Sequence, residues 1–392
     1  MRPSSRSGFR PVHAAGALIA AVLMLSGCAL TGSQSETVSP NGTLSPILLT
    51  YPDIEVIEDV QYGTADGEPL LLDVCLPEDN SATATPTPTA TPTPSETETP
   101  SETATPTETA APGDPGYAYD PDDPVDPNDA DSTTATATPV PTVASDPVTS
   151  ALKPRAAIVS IHGGSWAHGD KSNVNWRSVC QWLASEGYVA VSVNYRLAPT
   201  STYPAQIQDL RAAVRWLRED AQVEQYSIDP TLIGAFGGSA GGNLAALLGT
   251  TGTGELDSGS RVAAVAELSG PTDLTEAGRD LGGLVPEFEQ LQLSYLGCET
   301  LASCPTARAA SPLYQVDSSD PPFFVGHSID ERIPVEQSEA FVEELRDAGV
   351  ETEFVTVDGA RHSIAMLDED MRDRIADFFA RTLVSEPVSV VP

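Results

Sequence analysis

The sequence predicts an α/β protein, a mostly parallel sheet covered by helices on both faces with an antiparallel hairpin at its start. Three observations carry that prediction. After residue 154, short and nearly continuous apolar runs alternate with stretches of helical spacing. Runs that are apolar throughout, instead of at every second position, mark strands buried on both faces, and such strands need helices above and below. The repeated order strand, helix, strand supplies the crossovers that parallel pairing requires. Upstream, two runs at 54–60 and 70–76 are separated only by the turn-rich segment 63–69, so they read as a hairpin.

In order along the chain, Arg2, Arg6 and Arg10 precede an apolar stretch at 14–25 that is too short to span a bilayer comfortably. It reads as the core of a signal peptide occupying residues 1–27. The stretch ends in Leu25-Ser26-Gly27-Cys28, which resembles a bacterial lipobox. The resemblance implies cleavage before Cys28, lipidation of its sulfur, and an extracytoplasmic chain attached to the cell membrane through a lipid anchor only. Residues 28–52, rich in Ser, Thr, Gly and Pro, form a flexible spacer. The folded domain is expected over 53–385, interrupted by an insertion at 80–150. That segment is Thr, Pro, Ala and Ser with scattered acids and no Lys or Arg. It has too little apolar surface to offset the entropy of ordering and is expected to be disordered. Because it separates the hairpin from the next strand, it reads as a loop insertion and not as a domain boundary.

The regular part follows. Strands are expected at 156–161, 188–193, 232–236, 262–268, 322–325 and 354–357, with helices at 173–186, 205–217, 244–248, 335–348 and 366–383. The interval 273–311 carries two short apolar stretches, 281–288 and 291–296, that fit a small lid. Of the four cysteines after Cys28, Cys298 and Cys304 lie close together in a loop-like segment and are expected to close a small ring. Cys75 and Cys180 are either a second bridge or two buried thiols. Five histidines and no Cys-x-x-Cys spacing give no metal site, and nothing in the sequence asks for a cofactor. A formal charge of -36 argues against nucleic acid as a partner, since neutralising phosphates takes clustered Lys and Arg.

The chemistry gathers around Gly237-Gly238-Ser239-Ala240-Gly241-Gly242-Asn243, which follows the apolar run 232–236 and precedes the helical pattern 244–248. Strand, glycine turn and helix in that order form the setting of a Gly-x-Ser-x-Gly nucleophile elbow. The serine of such an elbow occupies a strained backbone position, and its neighbours must lack side chains that would block the turn. Upstream, His162-Gly163-Gly164-Ser165-Trp166 ends a strand, and its adjacent glycines can aim bare N–H groups at a developing oxyanion.

Taken together, His162 to Trp166, then Val193-Asn194-Tyr195-Arg196-Leu197-Ala198-Pro199, then Gly237 to Asn243, resemble the carboxylesterase branch of the α/β-hydrolases related to hormone-sensitive lipase. The resemblance implies the α/β-hydrolase fold with a small lid and a serine carboxylic-ester hydrolase working through an acyl-enzyme. Ser239 is the nucleophile, His362 the base, and Asp330 the acid by its spacing to Pro334, with Glu331 as the neighbouring alternative. The amides of Gly163, Gly164 and Ala240 form the oxyanion hole. Gly238 stands where relatives often carry a charged residue or histidine, which leaves the cleft beside Ser239 less defined. A small lid and an exposed cleft resemble acetyl- or feruloyl-esterase members more than long-chain lipases, so the expected substrate is a small-molecule or polysaccharide-linked short acyl or aryl ester. A peptidase or amidase on the same triad, and a surface-binding relative that has lost catalysis, are the competing readings.

Overall fold

A computed structural model of the chain describes residues 51–78 and 153–383. The expected signal peptide, the lipidation site Cys28, most of the spacer and the insertion at 80–150 lie outside the described residues.

The hairpin comes first: β1 (Glu55–Ala65) pairs antiparallel with β2 (Glu68–Leu76). Both strands run further toward the turn than the apolar runs indicate. β1 is an edge strand, largely half-buried or exposed, so its outer half needs no apolar pattern. The turn itself is Asp66-Gly67, both at positive φ (52° and 83°), the conformation a two-residue hairpin turn of the primed type demands.

The sheet continues with β3 (Arg155–Ile161), β4 (Val189–Val193), β5 (Ile228–Gly238), β6 (Ala264–Leu268), β7 (Phe323–Ser328) and β8 (Thr352–Val357). Their spatial order is β1-β2-β4-β3-β5-β6-β7-β8, and all pairings from β4 onward are parallel. This is the mostly parallel sheet with an antiparallel N-terminal hairpin that the sequence predicts. β5 begins earlier than the run 232–236 because Ile228 already pairs with Arg155.

Alternation along the strands divides the core. Ala157, Val159 and Ile161 of β3 face one apolar cluster, whereas Ala156 and Ile158 face the other. The first cluster is closed by α2 (Ala205–Leu217), α4 (Ala240–Thr250) and α7 (Val335–Asp347). The second is closed by α1 (Val174–Ser185) and α8 (Glu369–Thr382). A short helix that the sequence hid, α3 (Asp220–Tyr226), buries only Tyr226. α4 crosses the centre of the sheet and every one of its residues is buried. Its small side chains permit that approach: a Cβ at Gly249 would come within 2.5 Å of Phe323. Central placement of α4 fixes the strand-to-helix joint that carries Ser239. Both cysteine pairs are bridged, Cys298 to Cys304 and Cys75 to Cys180. The second bridge ties β2 to α1.

Candidate active site

Ser239 stands between the last residue of β5 and the first of α4, with φ 59° and ψ -124°. That left-handed conformation costs a serine of order 1–3 kcal/mol and persists only where the surroundings enforce it. They do so by close approach: a Cβ at Gly237 would lie 2.1 Å from Gly241 O, and one at Gly241 would lie 2.1 Å from Ile161 O. Only glycine at both positions lets the turn fold back on itself and pack against the end of β3. The Ser239 N–H donates to Leu268 O at 2.8 Å, which fastens the joint to β6.

The segment His162 to Trp166 lies alongside. A Cβ at Gly163 would come within 2.8 Å of Gly238 O and 3.2 Å of Ser239 Cβ, so the bare Gly163 backbone faces Ser239 directly. Gly164 has φ 125°, and its carbonyl accepts the N–H groups of Ala167 and His168, which closes the loop on itself. The N–H groups of Gly163, Gly164 and Ala240 take no part in the turn and cap hydrogen bonds of the described residues. Bare amides of this kind can donate to an anionic oxygen placed beside them. His162 serves the loop and not the chemistry. It is buried, stacks on Tyr195 with ring centroids 4.3 Å apart, and places Nδ1 2.9 Å from Gly163 O. Burial holds its pKa below the ordinary value.

His362 follows β8, as the sequence predicts, and its Nδ1 is hydrogen-bonded to a carboxylate. That carboxylate belongs to Glu331, not Asp330. Asp330 is exposed, whereas the Glu331 side chain is wholly buried. The reason lies in the backbone after β7. Ile329 N–H donates to Val357 O and Asp330 N–H to Gly359 O, so the chain keeps running beside the β8 loop for two residues before it turns inward. The first side chain to enter the site is therefore that of residue 331. Glu331 is backed by His327, whose Nε2 lies 3.1 Å from Oε1 while its hydrogen bond goes to Ile333 O at 2.8 Å. Ser338 Oγ meets His327 Nδ1 at 2.7 Å. Burial holds the His327 pKa down, so this ring lies against the Glu331 carboxylate as a neutral group. With Glu331 on Nδ1, the Nε2 face of His362 is the one left to take a proton. Among the described residues no hydrogen bond joins Ser239 Oγ to His362; in unliganded sites such contacts are often long and tighten when substrate binds.

The slot beside Gly238, where the sequence leads one to expect a less defined cleft, is filled. A Cβ at Gly238 would lie 2.1 Å from Ser363 Oγ and 3.4 Å from the Trp176 ring. Ser363, at φ 59°, is held by its N–H on Ser269 Oγ at 3.1 Å. The residue next to His362 thus occupies the space that a side chain at 238 would need, and it seats the His362 segment on the elbow.

The lid is built from α5 (Glu276–Asp280), a bend at 281–285, and α6 (Pro286–Leu296), which starts on its proline. α6 covers the oxyanion loop: the Tyr295 ring stacks on Trp166, centroids 4.3 Å apart and planes 4° from parallel. Asn243, fully buried, joins these parts. Its Oδ1 accepts Trp166 Nε1–H at 3.2 Å, and its Nδ2 donates to Pro271 O and Ala310 O at 3.0 and 3.2 Å. One amide therefore links the oxyanion loop, the elbow helix and both roots of the lid.

With this geometry in view, residues 148–345, just over half of the chain, match the BD-FAE family model. The chain belongs to the BD-FAE family. Among curated relatives, esterase LipC of Mycobacterium tuberculosis is 34% identical over 55% of this chain and 55% of its own length. Esterase LipQ of the same organism is 33% identical over 53% and 49%. Arylacetamide deacetylase of Bos taurus is 40% identical over 24% of this chain and 23% of its own. The chain spans about half the length of the mycobacterial relatives it matches. A truncated carbohydrate esterase from gut microbiota superposes with TM-score 0.57 at 20% identity, covering 87% of this chain and 99% of that one. A thermophilic esterase from Thermogutta terrifontis gives TM-score 0.53 at 22% identity over 87% and 96%. These likenesses show the α/β-hydrolase fold.

Within this BD-FAE member, the structure brings Ser239, His362, Gly163, Gly164 and Ala240 to one end of the sheet and leaves Asp330 outside. Glu331 stands in the sequence as the neighbouring alternative to Asp330, and it is the one hydrogen-bonded to His362. Asn243, which closes the glycine motif, and Glu267, an acid inside the apolar run 262–268, carry no sequence signal of their contacts with these segments.

Proposed function

We propose that the chain is a serine carboxylic-ester hydrolase in which Ser239, His362 and Glu331 act as a triad on short acyl or aryl esters. The observation that carries this reading is the buried Glu331 carboxylate on Nδ1 of a histidine whose own segment is seated on a left-handed serine elbow. Each part has a task. Glu331 keeps the proton on Nδ1 and stabilises the imidazolium; Nε2 accepts the Ser239 proton as Oγ attacks the ester carbonyl. The N–H groups of Gly163, Gly164 and Ala240 receive the tetrahedral oxyanion, each such donor being worth on the order of 3 kcal/mol. His362 then protonates the leaving alcohol, and water releases the acyl group by the reverse sequence.

The short lid and the filled slot at Gly238 support a small acyl or aryl group, free or attached to a polysaccharide. The signal-like segment and the lipobox-like Cys28 support an extracytoplasmic chain held to the bacterial membrane by lipid. Among the described residues no helix is long and apolar enough to cross a membrane. The test is hydrolysis of p-nitrophenyl acetate, butyrate and octanoate by the wild type and Ser239→Ala, with a fluorophosphonate probe as the label. Turnover by a folded Ser239→Ala protein, or labelling at another residue, would falsify the assignment. For the anchor, Cys28→Ala should release the protein from the membrane fraction.

A further inference from the structure

The ends of β5, β7 and β8 deliver the triad, but the turn that locks them together belongs to β6. Leu268 O accepts the Ser239 N–H (2.8 Å) and Ser269 Oγ accepts the Ser363 N–H (3.1 Å). The Ser269 N–H in turn reaches Gly326 O on β7 (2.9 Å). One short turn therefore holds the nucleophile, the segment of the base and the strand that leads to the acid. Glu267 closes it. Its Oε2 accepts the Gly270 N–H at 2.7 Å and lies so near the elbow helix that a Cβ at Gly242 would approach within 2.9 Å.

Glu267 is fully buried, and among the described residues it forms no ion pair. Its second oxygen, Oε1, has no hydrogen-bond partner. In register, β5 presents Gly237 and β7 presents Val325, while α4 presents Gly242. The titratable group that bears on it is another acid, Glu331. An ionised Glu267 would be an unpaired buried anion facing a second carboxylate, the arrangement a protein interior tolerates least.

We propose that Glu267 is a positioning residue: as a neutral carboxylic acid it holds the β6 turn against the elbow helix, and its ionisation disturbs the alignment of Ser239, His362 and Glu331. This rests on reading that triad as hydrolytic. In keeping with the geometry, burial raises the Glu267 pKa to about 8, with the Gly270 N–H opposing the rise and Glu331 adding to it.

The experiment uses the full chain as wild type, Glu267→Gln and Glu267→Ala, with kcat/KM for p-nitrophenyl acetate followed from pH 6 to 10. Wild-type kcat/KM should fall about tenfold per pH unit above the ionisation. Glu267→Gln, which imitates the neutral acid, should stay within roughly twofold of wild type at pH 7 and lack that alkaline fall. Glu267→Ala should lose roughly tenfold or more at every pH. An alkaline fall that survives in Glu267→Gln, or an undiminished Glu267→Ala, overturns the proposal. Thermal unfolding provides a readout independent of turnover. An acid protonated in the fold and ionised when unfolded loses stability as pH rises from the ordinary carboxylate range to its folded pKa. The Tm advantage of Glu267→Gln over wild type should therefore be larger at pH 9 than at pH 5; equal differences overturn the neutral acid. If wild type hydrolyses no ester while that Tm pattern is present, the hydrolase reading and the positioning role fall together, and the buried neutral acid stands by itself.

Discussion

The assignment of Glu331 as the triad acid makes a sharp prediction, because its neighbour Asp330 offers the same chemistry one residue away. Glu331→Gln keeps the shape of the side chain and removes its charge. The carboxylate is wholly buried and His362 is only 13% exposed, so solvent screens the pair weakly. Two unit charges about 4 Å apart at an effective dielectric of 20 interact by about 4 kcal/mol. That corresponds to about a thousandfold in rate. Loss of the preferred tautomer adds to it, and an amide in place of a triad carboxylate has cost about 10⁴-fold elsewhere. Glu331→Gln should therefore lower kcat on p-nitrophenyl acetate by roughly 10³ to 10⁴ with KM little changed, while Asp330→Asn should stay within about twofold. Glu331→Asp, one methylene shorter, should fall between them. The reasoning is refuted if Asp330→Asn loses a hundredfold or more while Glu331→Gln remains near wild type.

Three further outcomes follow from close approaches. Gly241→Ala would drive a Cβ to 2.1 Å from the Ile161 carbonyl, where only backbone can yield. Activity should be lost and the Tm should drop, by circular dichroism, as for a change costing about 3 kcal/mol or more. Gly238→Val should cut kcat at least tenfold by displacing Ser363, and the double variant Gly238→Val/Ser363→Gly should recover part of it; no recovery would mean that the slot matters for another reason. Asn243→Ala removes hydrogen bonds to Trp166, Pro271 and Ala310 at once and should cost about 2–4 kcal/mol in urea unfolding. It should also slow fluorophosphonate labelling of Ser239, since the oxyanion loop and the lid lose their common tie.

Much of this was legible in the sequence where the constraint is local. Gly237 and Gly241 flank Ser239 because the turn has no room for a Cβ, and that requirement is written within five residues. The strands announce themselves because both faces are covered, which makes the runs apolar throughout. The acid was less legible. Residue spacing to Pro334 favours Asp330, but which side chain turns inward depends on how long the loop stays paired with β8 through Ile329 and Asp330. Ser363 filling the slot of Gly238, and Glu267 packing on Gly242, are contacts between segments far apart in the chain. No local pattern of either partner records them.

The Cys75–Cys180 bridge has a consequence of connectivity. Its two ends stand on opposite sides of residues 79–152, at a sequence separation of 105. The backbone over that interval is therefore one arm of a covalent ring, and the disulfide is the other. A single protease cut anywhere within it opens the ring without dividing the molecule. The hairpin of β1 and β2 would remain attached to α1, and one band on a non-reducing gel would become two only when a thiol is added.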